Sequence, residues 1–378
     1  MSYFHSLGAV GVFGIWIAAS LLLSQIGVFG FHNAITSFGT KNLSIDLSVV
    51  KTAYWAGSLW SVLLNLIIVF VCVFLASQKI VFESIEFGIL LGTNIAIIGQ
   101  TKLLVARCNM TYTNGVALAN LVKSASLLFF IIISFSINFS AYAQLKIFLL
   151  AETVNLLALI FLTPRIKVAG EQTVLAFSSF KYLRNSFRFA LNNFTFDAMT
   201  KVDLIMISIY FPVDVVGIYT IIMNVTEAFL GLATLKRGQY YWEILSMIKH
   251  AQEGKIIKFA KTQFANFSIF ALPVFASGYT YLVIVSQTIE LQTAIALALN
   301  ILGILLFSPA MLSFNVFFGI KRTQTLTYFL LSALILNLTL NFLLIPILGI
   351  IGAALGTFSS FTLLSALINR FILQLARN

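Results

Sequence analysis

Charge is what this chain has least of. Only 9% of its 378 residues are Asp, Glu, Lys or Arg, whereas an ordinary soluble domain carries about one quarter. Hydrophobic residues make up 60% of the chain, and its mean hydropathy is +1.00. A chain of this composition has too few charged residues for a protein surface exposed to water, so a soluble enzyme, a disordered chain and a fibrous protein are excluded. It indicates a protein whose solvent is the lipid bilayer.

Cysteine and histidine are also scarce. The two cysteines, Cys72 and Cys108, cannot build a disulfide framework or a CxxC site. The three histidines lie far apart, so we expect no metal site, and no motif for a cofactor is present. The net charge of +11 comes from basic residues that flank apolar segments. This placement argues against a nucleic-acid partner.

Long charge-free stretches predict membrane-spanning helices. Residues 262–289, 291–320 and 323–369 contain no charged side chain, and a membrane helix needs about 20 apolar residues. The runs are continuously apolar rather than alternating, which favours helices over barrel strands. We predict eleven spans, at 7–30, 53–76, 80–105, 115–137, 142–163, 187–210, 212–235, 259–285, 290–320, 323–346 and 349–376.

The basic residues predict the orientation. Loops on one side of the predicted spans hold nineteen Lys and Arg residues, among them Lys102, and those on the other side hold only Lys79 and Lys146. The positive-inside rule places the richer set in the cytoplasm. We therefore expect a multi-pass protein that starts outside and ends inside.

The chain contains an internal repeat. A shift of 203 residues brings Val10–Trp16 onto Val213–Tyr219 with four identities, and it moves the second to fifth predicted spans onto the eighth to eleventh. Both copies then cross the membrane in the same direction, which predicts two parallel pseudo-repeats. We expect an all-α polytopic fold with an N-terminal bundle at 1–163, a cytoplasmic interfacial linker at 164–186 and a C-terminal bundle at 187–378.

The repeat also predicts a missing element. The span at 187–210 has no counterpart in the first half, because its equivalent would end near Leu7. We expect about eleven transmembrane helices, with the first helix of a twelve-helix fold missing from the chain.

Three motifs resemble those of Wzx-type O-antigen flippases and related polysaccharide exporters, whose superfamily also contains the multidrug and toxin exporters. They are Leu7–Gly14, the run from Asp203 to Val216-Gly217-Ile218-Tyr219, and Ile345-Pro346-x-x-Gly349-x-x-Gly352-Ala353-Ala354-x-x-Thr357 with Asn337 and Asn341 before it. The small residues and helix breakers of the third motif also have a packing role of their own, because they end one span and let the next approach closely.

This resemblance implies a function. The family has two helix bundles around a central cavity, and it flips undecaprenyl-diphosphate-linked oligosaccharide, an O-antigen or capsule repeat unit, across the bacterial cytoplasmic (inner) membrane. It does so by alternating access coupled to an ion gradient, as part of lipopolysaccharide or other polysaccharide biosynthesis. The implied partners are membrane lipids, the lipid-linked oligosaccharide, protons or sodium ions, and a polysaccharide polymerase with its assembly proteins. The implied protein is a transporter and no enzyme.

Ionisable residues within spans are candidates for the transport site, because each costs about 3 kcal/mol at the bilayer centre. Lys123 and Lys201, one from each half, are predicted to contact the diphosphate. Alternatively, these lysines are structural, with Lys201 neutralised by Asp197 and Lys123 by Glu152.

Carboxylates could serve ion coupling or line the cavity. The candidates are Glu152, Asp197, Asp203 and Glu227, with Asn193 and Asn224 as polar cavity residues. Asp203 and Glu227 are preferred for coupling because neither has a basic residue at helical spacing on its own span. The alternative is that these carboxylates are scaffold.

Two other functions are weighed against the flippase. A multidrug or cation exporter of the same superfamily would favour acidic groups in its cavity, and Lys123 and Lys201 argue against it. A membrane-embedded polysaccharide polymerase or glycosyltransferase would need a large external loop with catalytic residues, and the predicted external loops are only a few residues long.

Overall fold

The computed structural model describes residues 7–32, 40–41, 44–45, 47–77, 85–111, 122, 141–162, 175–234, 237–286, 290–314, 316–320 and 322–377. Regular structure within these residues is α-helical apart from one short ladder, in which β1 (Thr40–Lys41) pairs antiparallel with β2 (Ser44–Ile45). The predicted all-α fold class is therefore confirmed.

The helices follow the order of the predicted spans. The first four are α1 (Leu7–Val28), α2 (Leu47–Ser77), α3 (Ile85–Thr111) and α4 (Ala141–Leu162). They are followed by α5 (Leu175–Tyr210), α6 (Val213–Thr234), α7 (Arg237–Lys249), α8 (Glu253–Ser286), α9 (Leu291–Ser313), α10 (Val316–Gly319), α11 (Thr323–Leu348) and α12 (Ile350–Arg377).

Eight of the helices in the described ranges are long and apolar enough to cross a membrane, namely α1, α2, α3, α6, α8, α9, α11 and α12. The protein is therefore a multi-pass membrane protein. The predicted spans at 142–163 and 187–210 are also helical, as α4 and as part of α5. The predicted span at 115–137 lies outside the described residues except for residue 122.

The helix starts repeat at a constant interval. Leu7 and Val213, Leu47 and Glu253, and Ile85 and Leu291 each begin a helix, and the two members of each pair are 206 residues apart. The interval is close to the 203 residues of the sequence match. Two repeats of similar helix order therefore build the chain, as predicted.

Contacts divide the chain into two units, one from Trp16 to Phe194 and one that joins residues up to Ile15 with Thr195–Asn378. α5 passes from the first to the second without a break, and its first turns replace the second half of the predicted linker at 164–186. Residues 164–174 of that linker lie outside the described residues. The predicted bundle boundaries stay a prediction.

In the first unit, the turn after α1 depends on a glycine. Phe29 and Gly30 have left-handed φ angles of 48° and 71°, a conformation in which only glycine is free of a Cβ penalty. A Cβ at Gly30 would also overlap the backbone of Ser186 and Ala190 in α5. The turn leads into Phe31, which is fully buried with Val28 and Leu103.

In the second unit, the start of α1 packs closely on α6. A Cβ at Gly11 would overlap the carbonyl oxygen of Val213, and one at Gly217 would overlap that of Leu7. The two helices therefore touch through their backbones, which only glycine permits. These glycines belong to the two segments that match in the internal repeat.

In the second unit, α11 and α12 form a tightly packed helical hairpin. Gly349 turns the chain with a φ of 59°, and its N–H donates to the Ile345 carbonyl oxygen at 2.9 Å. A Cβ at Gly352 would overlap the backbone of Leu344, and one at Gly356 would overlap the amide of Asn341. These contacts confirm that the third sequence motif ends one helix and lets the next pack closely.

Candidate functional site

Two neighbouring helices, α5 and α6, carry four of the six ionisable candidates, namely Asp197, Lys201, Asp203 and Glu227. α5 ends at Tyr210 and α6 begins at Val213, so the link is only two residues long. Pro212 directly precedes α6 and, since it has no N–H, it suits the start of a helix. Because the connection is so short, α5 and α6 run antiparallel, and residues near the end of α5 face residues of α6.

Lys201 and Glu227 form an ion pair between these two helices. The Lys201 ammonium donates to the Glu227 carboxylate. The two partners differ in access, since the Lys201 side chain is 9% exposed and that of Glu227 is 34% exposed. The pair therefore consists of a shielded cation and a carboxylate that lies partly open.

Asp203 lies on the same helix and is fully buried. Its Oδ2 accepts a hydrogen bond of 2.5 Å from the Tyr219 hydroxyl of α6 and one of 2.9 Å from the Thr357 hydroxyl of α12. Its Oδ1 accepts from the Leu204 backbone N–H at 2.9 Å. All three partners are donors, as a carboxylate requires. We call this group, Asp203, Tyr219 and Thr357, the Asp203 cluster.

The ion pair of Lys201 joins two helices, which spacing along one helix could not indicate. Helical spacing suggested Asp197 as its partner, whereas the ion pair that Lys201 makes is with Glu227 on the next helix. Glu227 had been singled out because its own span carries no basic residue. The search for basic residues covered only the span of Glu227 itself, so it did not reveal the lysine on the neighbouring helix.

The predicted polar residues fall into both units. Asn193 is half-buried on the first-unit part of α5, where its amide nitrogen lies 2.8 Å from His32 Nε2. Asn224 is exposed on α6, one turn before Glu227. Asp197 is half-buried on α5, and Glu152 is buried on α4 in the first unit. Lys123 lies outside the described residues.

Lys102 was counted among the cytoplasmic loop residues, and this was wrong. It lies inside α3, within the apolar window Gly88–Ala106, and the helix continues beyond it to Thr111. Its Nζ donates to Ser24 Oγ at 3.0 Å, within the first unit. The predicted span at 80–105 already contained Lys102, so the span itself was the available sequence signal, and counting the residue with the adjoining loop disregarded it.

Tyr219 and Thr357 were missed as site residues. Each lies inside a motif that the sequence had already marked, Tyr219 at the end of the repeated segment and Thr357 at the end of the glycine motif. The sequence linked Tyr219 to the internal repeat and Thr357 to close helix packing. Spacing along one chain segment cannot show that Tyr219 and Thr357 both face a buried carboxylate on another helix. Within the described ranges, no three His, Cys, Asp or Glu residues come together to hold a metal ion.

No protein-family model matches this chain, and no curated protein sequence matches it significantly. Its fold, however, is that of several solved transporters. An inward-facing multidrug resistance MATE family transporter of the MOP superfamily aligns over 98% of this chain and 91% of its own, with a TM-score of 0.70 and 14% identity. An outward-facing transporter of that family gives a TM-score of 0.62 at 13% identity, covering 98% of this chain and 88% of its own.

A third similar structure contains an ion. The MATE transporter ClbM in complex with Rb+ aligns over 98% of this chain and 89% of its own, with a TM-score of 0.58 and 13% identity. At such identities the likeness establishes a shared fold. The chain therefore has the MATE-like arrangement of two helical repeats.

Proposed function

We propose that this protein is a flippase that moves an undecaprenyl-diphosphate-linked oligosaccharide across the bacterial cytoplasmic membrane by alternating access. Three lines of support combine. The sequence motifs resemble those of Wzx-type flippases, and the fold is shared with transporters of the MOP superfamily. The third is the shielded ammonium of Lys201, a positive charge between two helices.

The Lys201–Glu227 pair is the observation that carries this proposal. A lysine buried at membrane depth is expensive, and a diphosphate passing through a place poor in water needs charge-assisted donors. Lys201 offers an ammonium with three N–H donors. Lys123 is proposed as a second contact, supplied by the other half of the repeat.

A flipping assay tests the lysines. Protein reconstituted in phosphatidylcholine vesicles is given fluorescent undecaprenyl-diphosphate-linked N-acetylglucosamine, and the fraction moved to the other leaflet is measured. We expect Lys201→Gln and Lys123→Gln to reduce the rate about tenfold or more, since each loses a charged hydrogen bond to phosphate. Lys201→Arg and Lys123→Arg should retain more of the rate.

Lys146→Gln is the matched control. Lys146 pairs with Glu86 at the protein surface, where the two side chains are 49% and 64% exposed, so its loss should leave flipping unchanged. Wild-type rates in both Lys→Gln variants, at equal protein level, would remove the lysines from the proposal.

Ion coupling is assigned to the Asp203 cluster, with Glu152, Asp197 and Glu227 as the other candidates. The cluster brings together a carboxylate and two hydroxyl groups, which are oxygen ligands of the kind that hard cations prefer. A proton could equally be taken up by the carboxylate. Flipping should therefore accelerate when a proton or sodium gradient is imposed, and Asp203→Asn should abolish the acceleration. Equal rates with and without both gradients would leave Asp203 as scaffold.

A cation exporter is the second candidate. It is favoured by the similar structures, which are multidrug resistance transporters, and by the partly open Glu227 carboxylate, which could receive an organic cation. The discriminating measurement is gradient-driven movement of a lipophilic dye cation into the same vesicles. Dye transport that Glu227→Gln abolishes, with no flipping of the glycolipid, would replace the flippase by the exporter.

A further inference from the structure

The Lys201 ammonium has an internal competitor. Glu227 already neutralises it, so any anionic headgroup that binds Lys201 competes with the Glu227 carboxylate for the same cation. The lysine is the shielded member of the pair and the glutamate the open one. An arriving anion therefore meets the carboxylate before it reaches the cation.

The surroundings of Glu227 indicate that its face of α6 is polar. Asn224, one turn earlier on the same face, is exposed. A carboxylate and an amide directed together at acyl chains would cost several kcal/mol. This cost favours a position in which the two side chains contact water or a polar ligand such as a headgroup.

Only the glutamate side chain has to move. α6 is anchored by Val216, Tyr219 and Ile222, all fully buried, and it also touches α1 through Gly217. A side chain with three rotatable bonds can swing away while the helix stays in place. The exchange of Glu227 for a ligand then needs no rearrangement of the bundle.

The charge of the headgroup decides how well it competes with the Glu227 carboxylate for Lys201. A tethered carboxylate has a high effective concentration at the lysine, so a single negative charge gains little by replacing it. A diphosphate brings more charge and more acceptor oxygens than the carboxylate it displaces. The difference matters in a bilayer, where anionic phospholipids are present in large excess over any transported lipid.

We propose that Glu227 is a specificity-determining residue that sets a charge threshold at Lys201, admitting diphosphate headgroups and rejecting monoanionic phospholipids. This inference rests on the proposed role of Lys201 as a diphosphate contact. Glu227 acts through the lysine and does not itself bind the anion.

Binding of two soluble probes tests the threshold. Titration calorimetry on the purified full-length protein measures the Kd of farnesyl diphosphate and of dihexanoyl-phosphatidylglycerol. Wild-type protein should bind the diphosphate at least about tenfold more tightly than the phosphatidylglycerol. Glu227→Gln should tighten the binding of both probes about tenfold, so that phosphatidylglycerol then binds as well, because the competing carboxylate is gone. Glu290→Gln is the matched control, since Glu290 is exposed beside α9, and it should leave both affinities unchanged.

The outcomes separate the inference from the proposed function. If Lys201→Gln binds farnesyl diphosphate as tightly as wild type, the proposed contact itself fails. If Lys201→Gln weakens that binding while Glu227→Gln changes neither affinity, only the charge threshold is overturned. The double variant Lys201→Gln/Glu227→Gln restores neutrality and should bind as Lys201→Gln does. Should Glu227→Gln misfold, equal affinity of the wild-type protein for both probes would overturn the threshold by itself.

Discussion

Buried polar side chains set the chemistry of the second unit at the scale of single residues. Lys201 and Asp203 are two positions apart on α5, yet one pairs with a carboxylate and the other accepts three hydrogen bonds. In a bilayer each of these groups would be costly if left alone. Their side-chain partners, Glu227, Tyr219 and Thr357, come from other helices, so most of the cost is compensated only when the unit is folded.

The Asp203 cluster should contribute to stability. Tyr219→Phe removes one donor and leaves a buried carboxylate oxygen with less compensation, at a cost of about 1–3 kcal/mol. Thr357→Val should act in the same direction. Thermal unfolding of detergent-purified protein, followed by size-exclusion fluorescence, should show a lower midpoint for both variants. Tyr328→Phe is the control, because Tyr328 is 67% exposed; a Tyr219→Phe midpoint equal to that of Tyr328→Phe would contradict the prediction.

Close backbone contact explains the repeated motif at the scale of helices. Gly14 of α1 and Gly217 of α6 are equivalent positions of the internal repeat, and a Cβ at either would overlap the other helix, at Thr220 and at Leu7. A crossing this close requires residues without a side chain. The sequence similarity of the two segments therefore marks the place where the two repeats' equivalent helices touch.

The glycine at this crossing should not tolerate a methyl group. In Gly217→Ala the new Cβ overlaps the Leu7 carbonyl oxygen, a backbone atom that cannot turn away. We expect a loss of stability of about 1–3 kcal/mol, typical of overpacking. Gly254→Ala provides the comparison, since a Cβ there meets nothing within 4 Å and alanine favours the helix. Equal unfolding midpoints for the two variants would show that α1 and α6 can separate without cost.

At the scale of the whole molecule, apolar length and basic asymmetry organise the chain. Eight helices of the described ranges can cross a membrane, and the basic residues are concentrated at and beyond the ends of the predicted spans on one side. Moving Lys102 from a loop into α3 leaves this asymmetry intact, because eighteen basic residues still lie on the richer side against two. The orientation with a cytoplasmic C-terminus therefore remains our prediction.

Labelling of single cysteines measures this orientation. In a variant with Cys72 and Cys108 replaced by serine, Glu290→Cys should react with a membrane-impermeant maleimide added to intact cells. Lys255→Cys, on the other end of α8, should react only after permeabilisation. Both positions are exposed on the protein, so access depends on the side of the membrane. The reverse pattern would overturn the orientation that the positive-inside rule predicts.

The sequence alone determined what depends on composition and on order along the chain. Apolar runs fixed the class and most helices, because the bilayer requires about 20 apolar residues per span, and the repeat followed from the matching order of spans. The tertiary structure decided the partners of the polar residues. Lys201 meets Glu227 and Asp203 meets Tyr219 and Thr357 because separate helices pack side by side. Helical spacing reports only neighbours on one helix, and an ion pair or hydrogen bond across helices exists only once they are assembled.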